Sequence, residues 1–105
     1  MSINKKSDAV KFLEKAAGKE LSIASLIESI RLGDDMTQSS FAKKLKISKS
    51  HLCDIEKGRK FLSVSRAADF AKLLGFSEEQ FVRLALQDEI SRSGLKFKVK
   101  LDRAA

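Results

Sequence analysis

Residues 37–59 read TQSSFAKKLKISKSHLCDIEKGR, and this stretch decides the fold. Thr37 stands before an apolar pattern, Phe41, Ala42 and Leu45, spaced along one helical face; a Thr there accepts a hydrogen bond from a free first-turn amide. Lys46–Ile47 leaves room only for a tight turn. Ser48 is the next cap, opening a helix that turns Leu52 and Ile55 inward and closes near Gly58. The second helix is left with a polar outer face: Lys49, Ser50 and His51 at its start, Asp54 one turn later and Lys57 beyond. Hydrogen-bonding side chains at a helix N-terminus are what reading base edges in a major groove requires. The partial positive charge of that terminus suits a phosphate-rich surface. Lys43, Lys44, Lys57, Arg59 and Lys60 flank the face and are placed to neutralise phosphates.

Upstream, Ile23, Leu26, Ile27 and Ile30 mark a helix from about Ser22 to Leu32, with Gly33 where a left-handed terminal residue is wanted. Earlier still, Val10, Leu13 and Ala17, with Phe12 and Ala16, fit a short amphipathic helix capped by Ser7 and ended by Gly18, or else an arm. Downstream, Ser63 or Ser65 opens a helix carrying Ala67, Ala68, Phe70, Ala71 and Leu74, ended by Gly75. Ser77 with Glu78, Glu79 and Gln80 then supplies a cap and acidic residues at the positive end of a dipole. That last helix holds Phe81, Leu84, Ala85, Leu86 and Ile90 and ends near Gly94. Beyond it, Leu95, Phe97, Val99 and Leu101 alternate with Lys96, Lys98 and Lys100, the period of a half-buried strand. The expectation is an all-α, five-helix domain over 21–93, preceded by an arm or short helix at 1–20 and followed by a strand and tail at 94–105.

The formal charge of +7 suggests an anionic partner. Its placement says more. Lys43–Lys60 carries a net +5 and Arg92–Arg103 a net +4, so the excess is confined to the polar-faced helix and the tail. One cysteine, Cys53, leaves no disulfide framework and no cysteine metal cluster, and the usual reading is a reduced, cytoplasmic protein. No apolar run approaches the ~18 residues of a membrane span. A lone His51, a lone Cys53, no glycine-rich phosphate loop and no clustered carboxylates leave an enzyme little to work with. No cofactor is implied. Cys53 reads as packing at the core edge rather than as a redox thiol. Asp54 has two readings: accepting from a cytosine amino group, or pairing locally with Lys57 or Ser50. Glu56 reads as structural, paired with a basic residue.

Thr37–Gln38, Phe41–Ala42, Leu45, Ile47–Ser48, Ser50, Leu52 and Ile55–Glu56–Lys57–Gly58–Arg59 together resemble the helix-turn-helix of the Xre/Cro and lambda-repressor-like regulators. As a five-helix core the resemblance covers about residues 22–90, with the specific motif residues confined to 37–59. It implies that Lys49 and Ser50 are the principal base-reading positions, that Asp54 also faces the groove, and that His51 serves base or backbone. It implies that Gln38 contacts a phosphate and braces the recognition helix. Regulators of this kind often carry a Pro after the basic turn; here Phe61–Leu62–Ser63 stands instead, which leaves that loop open. Antitoxins of toxin–antitoxin pairs also use this domain, often with an added dimerising segment.

The tail has three readings: pairing of Leu95, Phe97, Val99 and Leu101 with a twin across a two-fold axis, addition to another protein's sheet edge, or disorder until bound. The first is favoured, because a dimer sets two recognition helices about 34 Å apart on a palindrome. The expected function is a dimeric repressor on double-stranded DNA, with an antitoxin that binds a toxin protein as the alternative.

Overall fold

Five serine or threonine side chains set where the helices begin. The computed structural model describes residues 21–104. Within them lie α1 (Ile23–Gly33), α2 (Gln38–Leu45), α3 (Lys49–Glu56), α4 (Val64–Leu74) and α5 (Glu78–Arg92). Ser22, Thr37, Ser48, Ser63 and Ser77 each accept a hydrogen bond from the amide three residues on. Such a cap contributes about 1 kcal/mol. Of the two candidates for α4, Ser63 is the cap.

All five helices also end alike. A left-handed residue follows each, and the next amide donates to the carbonyl five residues back, the bond that closes a helix terminus. The left-handed residues are Asp35, Lys46, Gly58, Gly75 and Gly94; the bonds run Met36 to Arg31, Ile47 to Ala42, Arg59 to Asp54, Phe76 to Ala71 and Leu95 to Ile90. Gly33 does not take the terminal role its sequence position suggests. It stays helical, and Asp35 turns the chain instead, with φ 55°. Lys46 holds the two-residue turn between α2 and α3 at φ 62° without glycine.

The core is one cluster drawn from all five helices, with Phe41, Phe81, Leu26, Ile27, Leu45, Leu52, Ile55 and Leu84 its largest fully buried side chains. α4 and α5 pair most extensively, and α2 rests on both α3 and α4. In the loop after α3, Leu62 is buried, while Phe61 beside it points outward beneath the Arg92 guanidinium, 3.4 Å from the ring centroid.

The tail corrects one expectation. Among the described residues there is no β-strand; residues 95–104 follow α5 without regular secondary structure. A strand requires a neighbour to satisfy its polar backbone, and beyond Leu95 the described residues offer the tail backbone only a side chain. Gln87 Nε2 donates to the Phe97 carbonyl at 2.9 Å, and Gln87 Oε1 accepts from the Val99 amide at 2.8 Å. Val99 and Leu101 are half-buried, whereas Leu95 and Phe97 are exposed. The arm or helix foreseen at 1–20 lies outside the described residues.

Candidate nucleic-acid interface

α3 buries Leu52 and Ile55 and thereby turns its opposite side out. Lys49 and Ser50 are exposed, His51, Cys53 and Asp54 are half-buried, and Lys57, Arg59 and Lys60 are exposed just past the helix. Gln38, Lys49, Ser50, Cys53, Asp54 and Arg59 line one shallow depression of about 360 Å³. Two helices and the following turn thus bring three predicted base readers and two predicted backbone contacts to one place. His51, Lys43, Lys57, Lys60 and the tail residues do not line it. Among the described residues, Lys43, Lys49, Lys57 and Lys60 form no ion pair, so their charge is available to a polyanion.

The recognition helix is anchored from its far end. The Glu56 carboxylate accepts from Arg31 Nε at 2.8 Å, Arg31 Nη2 at 3.1 Å and Gln38 Nε2 at 3.0 Å. Arg31 Nη1 also donates to the Met36 carbonyl at 3.1 Å. The side chains of Arg31 and Glu56 are only 11% and 2% exposed. One carboxylate therefore ties α1, α2 and α3 together. Its hydrogen bonds hold the Arg31 pKa above the ordinary guanidinium value against the opposing effect of burial. The structural reading of Glu56 thus acquires its partner. Arg31 itself carried no signal in the sequence, because its partner lies 25 residues away on another helix.

Asp54 takes a local partner, though neither of those proposed from the sequence. Arg59 Nη1 donates to Asp54 Oδ1 at 3.3 Å, and the Asp54 carbonyl accepts from the Arg59 amide at 2.8 Å. The pair is open to solvent on the Arg59 side, at 62% exposure. It cancels one cation that the sequence had assigned to the DNA backbone. The Gly58 turn makes the pairing possible by folding Arg59 back over the last turn of α3.

A helix-turn-helix domain family matches residues 22–84, more than half of the chain. The chain belongs to that family. The family is typical of Xre/Cro-like regulators, and its helix-turn-helix marks this chain as a DNA-binding regulator. No curated protein and no solved structure matches the chain. Among the described residues no helix is long and apolar enough to cross a membrane.

In this helix-turn-helix domain His51, outside the lining of the depression, meets a side chain of α4. Arg66 Nη1 lies 3.5 Å from His51 Nδ1. Burial lowers the His51 pKa from its ordinary 6.5; the nearby charges of Arg66 and Lys60 lower it further, and Asp54 opposes them. The imidazole is therefore neutral at pH 7 and offers one donor and one acceptor, in whichever tautomer its surroundings select. Arg66 is a second residue that sequence reasoning missed. Its position in the first turn of α4, after the Ser63 cap, carries it to the edge of the polar face.

Proposed function

We propose that this protein is a sequence-specific repressor that binds a palindromic operator as a dimer. The observation that carries the reading is the depression along the exposed side of α3, where Gln38, Lys49, Ser50, Asp54 and Arg59 converge. Lys49 and Ser50 present donors to base edges in the major groove, and His51 and Asp54 extend the reading surface. Lys43, Lys57, Lys60 and Arg66 hold phosphates on either side, joined by Arg59 once it leaves Asp54. Gln38 keeps one N–H for a phosphate while its other donates to Glu56. Occupancy of the operator blocks transcription.

Selection of duplexes from a random library by the full chain tests the reading. The expected product is an inverted repeat with half-site centres about 10 bp, or a multiple of it, apart. A single asymmetric half-site would sink the dimeric operator, and loss of all enrichment would sink sequence-specific reading.

A second reading is supported by the tail. Leu95 and Phe97 are 51% and 65% exposed on a basic segment, as they would be on a segment that binds a toxin protein. In that case the chain is an antitoxin repressing its own operon, and a small toxin-like reading frame lies beside its gene.

A further inference from the structure

We propose that the tail is one half of an intermolecular antiparallel β-ribbon, and that Gln87 decides which of its edges meets a second copy of this chain. The inference rests on the dimeric reading above and specifies the interface. A single planar amide reaches both the Phe97 carbonyl and the Val99 amide. In an extended chain these two groups point to the same side, and the polar groups of the residue between them point to the other. Gln87 therefore acts as a neighbouring strand would, and occupies the edge that belongs to Phe97 and Val99.

The opposite edge belongs to Lys96, Lys98 and Lys100. Among the described residues, their backbone N–H and C=O groups make no hydrogen bond. A segment held on one side by Gln87, and open on the other among the described residues, is the template that a further strand completes. Gln87 also orders the chain before the partner arrives, which lowers the entropy that association must overcome.

A second copy fits this edge because the edge is self-complementary. With a two-fold axis at Lys98, the two Lys98 residues exchange both backbone hydrogen bonds. Phe97 then lies opposite the second copy's Val99, and Leu95 opposite its Leu101, each twice. The apolar residues share one face, and the exposed Leu95 and Phe97 lose water. Lys98 opposite Lys98, and Lys96 opposite Lys100, is the unfavourable part of this arrangement. Those lysines are exposed, so salt screens their repulsion. Self-association should therefore tighten with salt, whereas capture of an acidic strand from another protein would weaken.

The test is sedimentation equilibrium of the full chain over a dilution series at about 0.1 M and about 1 M salt. It compares wild type with Lys98→Pro, Lys98→Ala and Gln87→Ala. Pro removes the open-edge amide, whereas Ala removes only the charge. All substitutions lie outside the core, and unchanged helical circular dichroism confirms that each variant folds. The wild-type chain should be a dimer that is tighter in high salt. Lys98→Pro should raise its Kd about tenfold or more, as loss of two reciprocal hydrogen bonds requires. Lys98→Ala should leave it equal or tighter, and Gln87→Ala should weaken it. A Lys98→Pro dimer as tight as that of Lys98→Ala overturns the edge while leaving the dimer standing. An unchanged Gln87→Ala overturns the clamp. Weakening by salt overturns the two-fold register. A wild-type chain that is monomeric at every concentration overturns this inference and the dimeric reading together.

Discussion

Replacing Arg31 by Met tests the anchor behind the recognition helix. The Glu56 carboxylate, 2% exposed, would lose two of its three donors and keep only Gln38. Leaving one member of a buried ion pair uncompensated costs about 3–5 kcal/mol. Small domains unfold with about 5–15 kcal/mol in total, so the variant loses a large share of its stability. At roughly 4–8 °C per kcal/mol for a domain of this size, the thermal midpoint should fall by about 12 °C or more. Urea denaturation followed by circular dichroism measures the loss. Adding Glu56→Met in the same chain removes the orphaned charge and should recover most of it, because a buried pair often exchanges for apolar side chains at little cost. Operator affinity should not recover, since Gln38 then has no carboxylate to hold. A loss below about 1 kcal/mol for Arg31→Met, the range of a surface pair, would refute the reasoning.

Three further outcomes concern the DNA-binding face. Lys49→Ala should cost about 1–3 kcal/mol on the selected operator and relax the preference at one base pair, whereas Lys60→Ala should weaken all duplexes alike and lower the salt slope by about one; fluorescence anisotropy at several salt concentrations separates the two patterns. Asp54→Ala should free Arg59, so binding to random duplex tightens and its salt slope steepens by about one, while stability changes by less than about 1 kcal/mol because the pair is exposed. His51 titrates at a lower pH in the fold than its ordinary 6.5, so the unfolded chain takes up the proton first. Its contribution to stability is therefore complete above about pH 6.5 and is lost as acid carries the pH down through the folded value. Thermal midpoints between pH 7.5 and 5 should fall more steeply for wild type than for His51→Gln, and parallel curves would remove His51 from the account.

The helices were legible in the sequence because their signals are local. A Ser or Thr accepts from an amide three residues away, and apolar residues three and four apart share a face whatever surrounds them. Thr37, Ser48 and Ser77 needed no knowledge of the fold, and the outward set Lys49, Ser50, His51 and Asp54 followed from which side Leu52 and Ile55 had to bury. Gly33 shows the limit even of local reasoning: the helix ran past it, and Asp35 made the turn that glycine usually makes.

Everything that depended on a distant partner was decided by tertiary structure. Arg31 meets Glu56 only once α1 lies against α3; Arg66 reaches His51, 15 residues earlier, only once the helices have packed. Asp54 chose Arg59 over Lys57 because the Gly58 turn folds the chain back over α3. The tail is the clearest case. Its alternation stated that one face is apolar, but a strand is a relation between two backbones, and a period of two names no partner. Among the described residues, only the Gln87 side chain bonds the tail backbone beyond Leu95, at Phe97 and Val99.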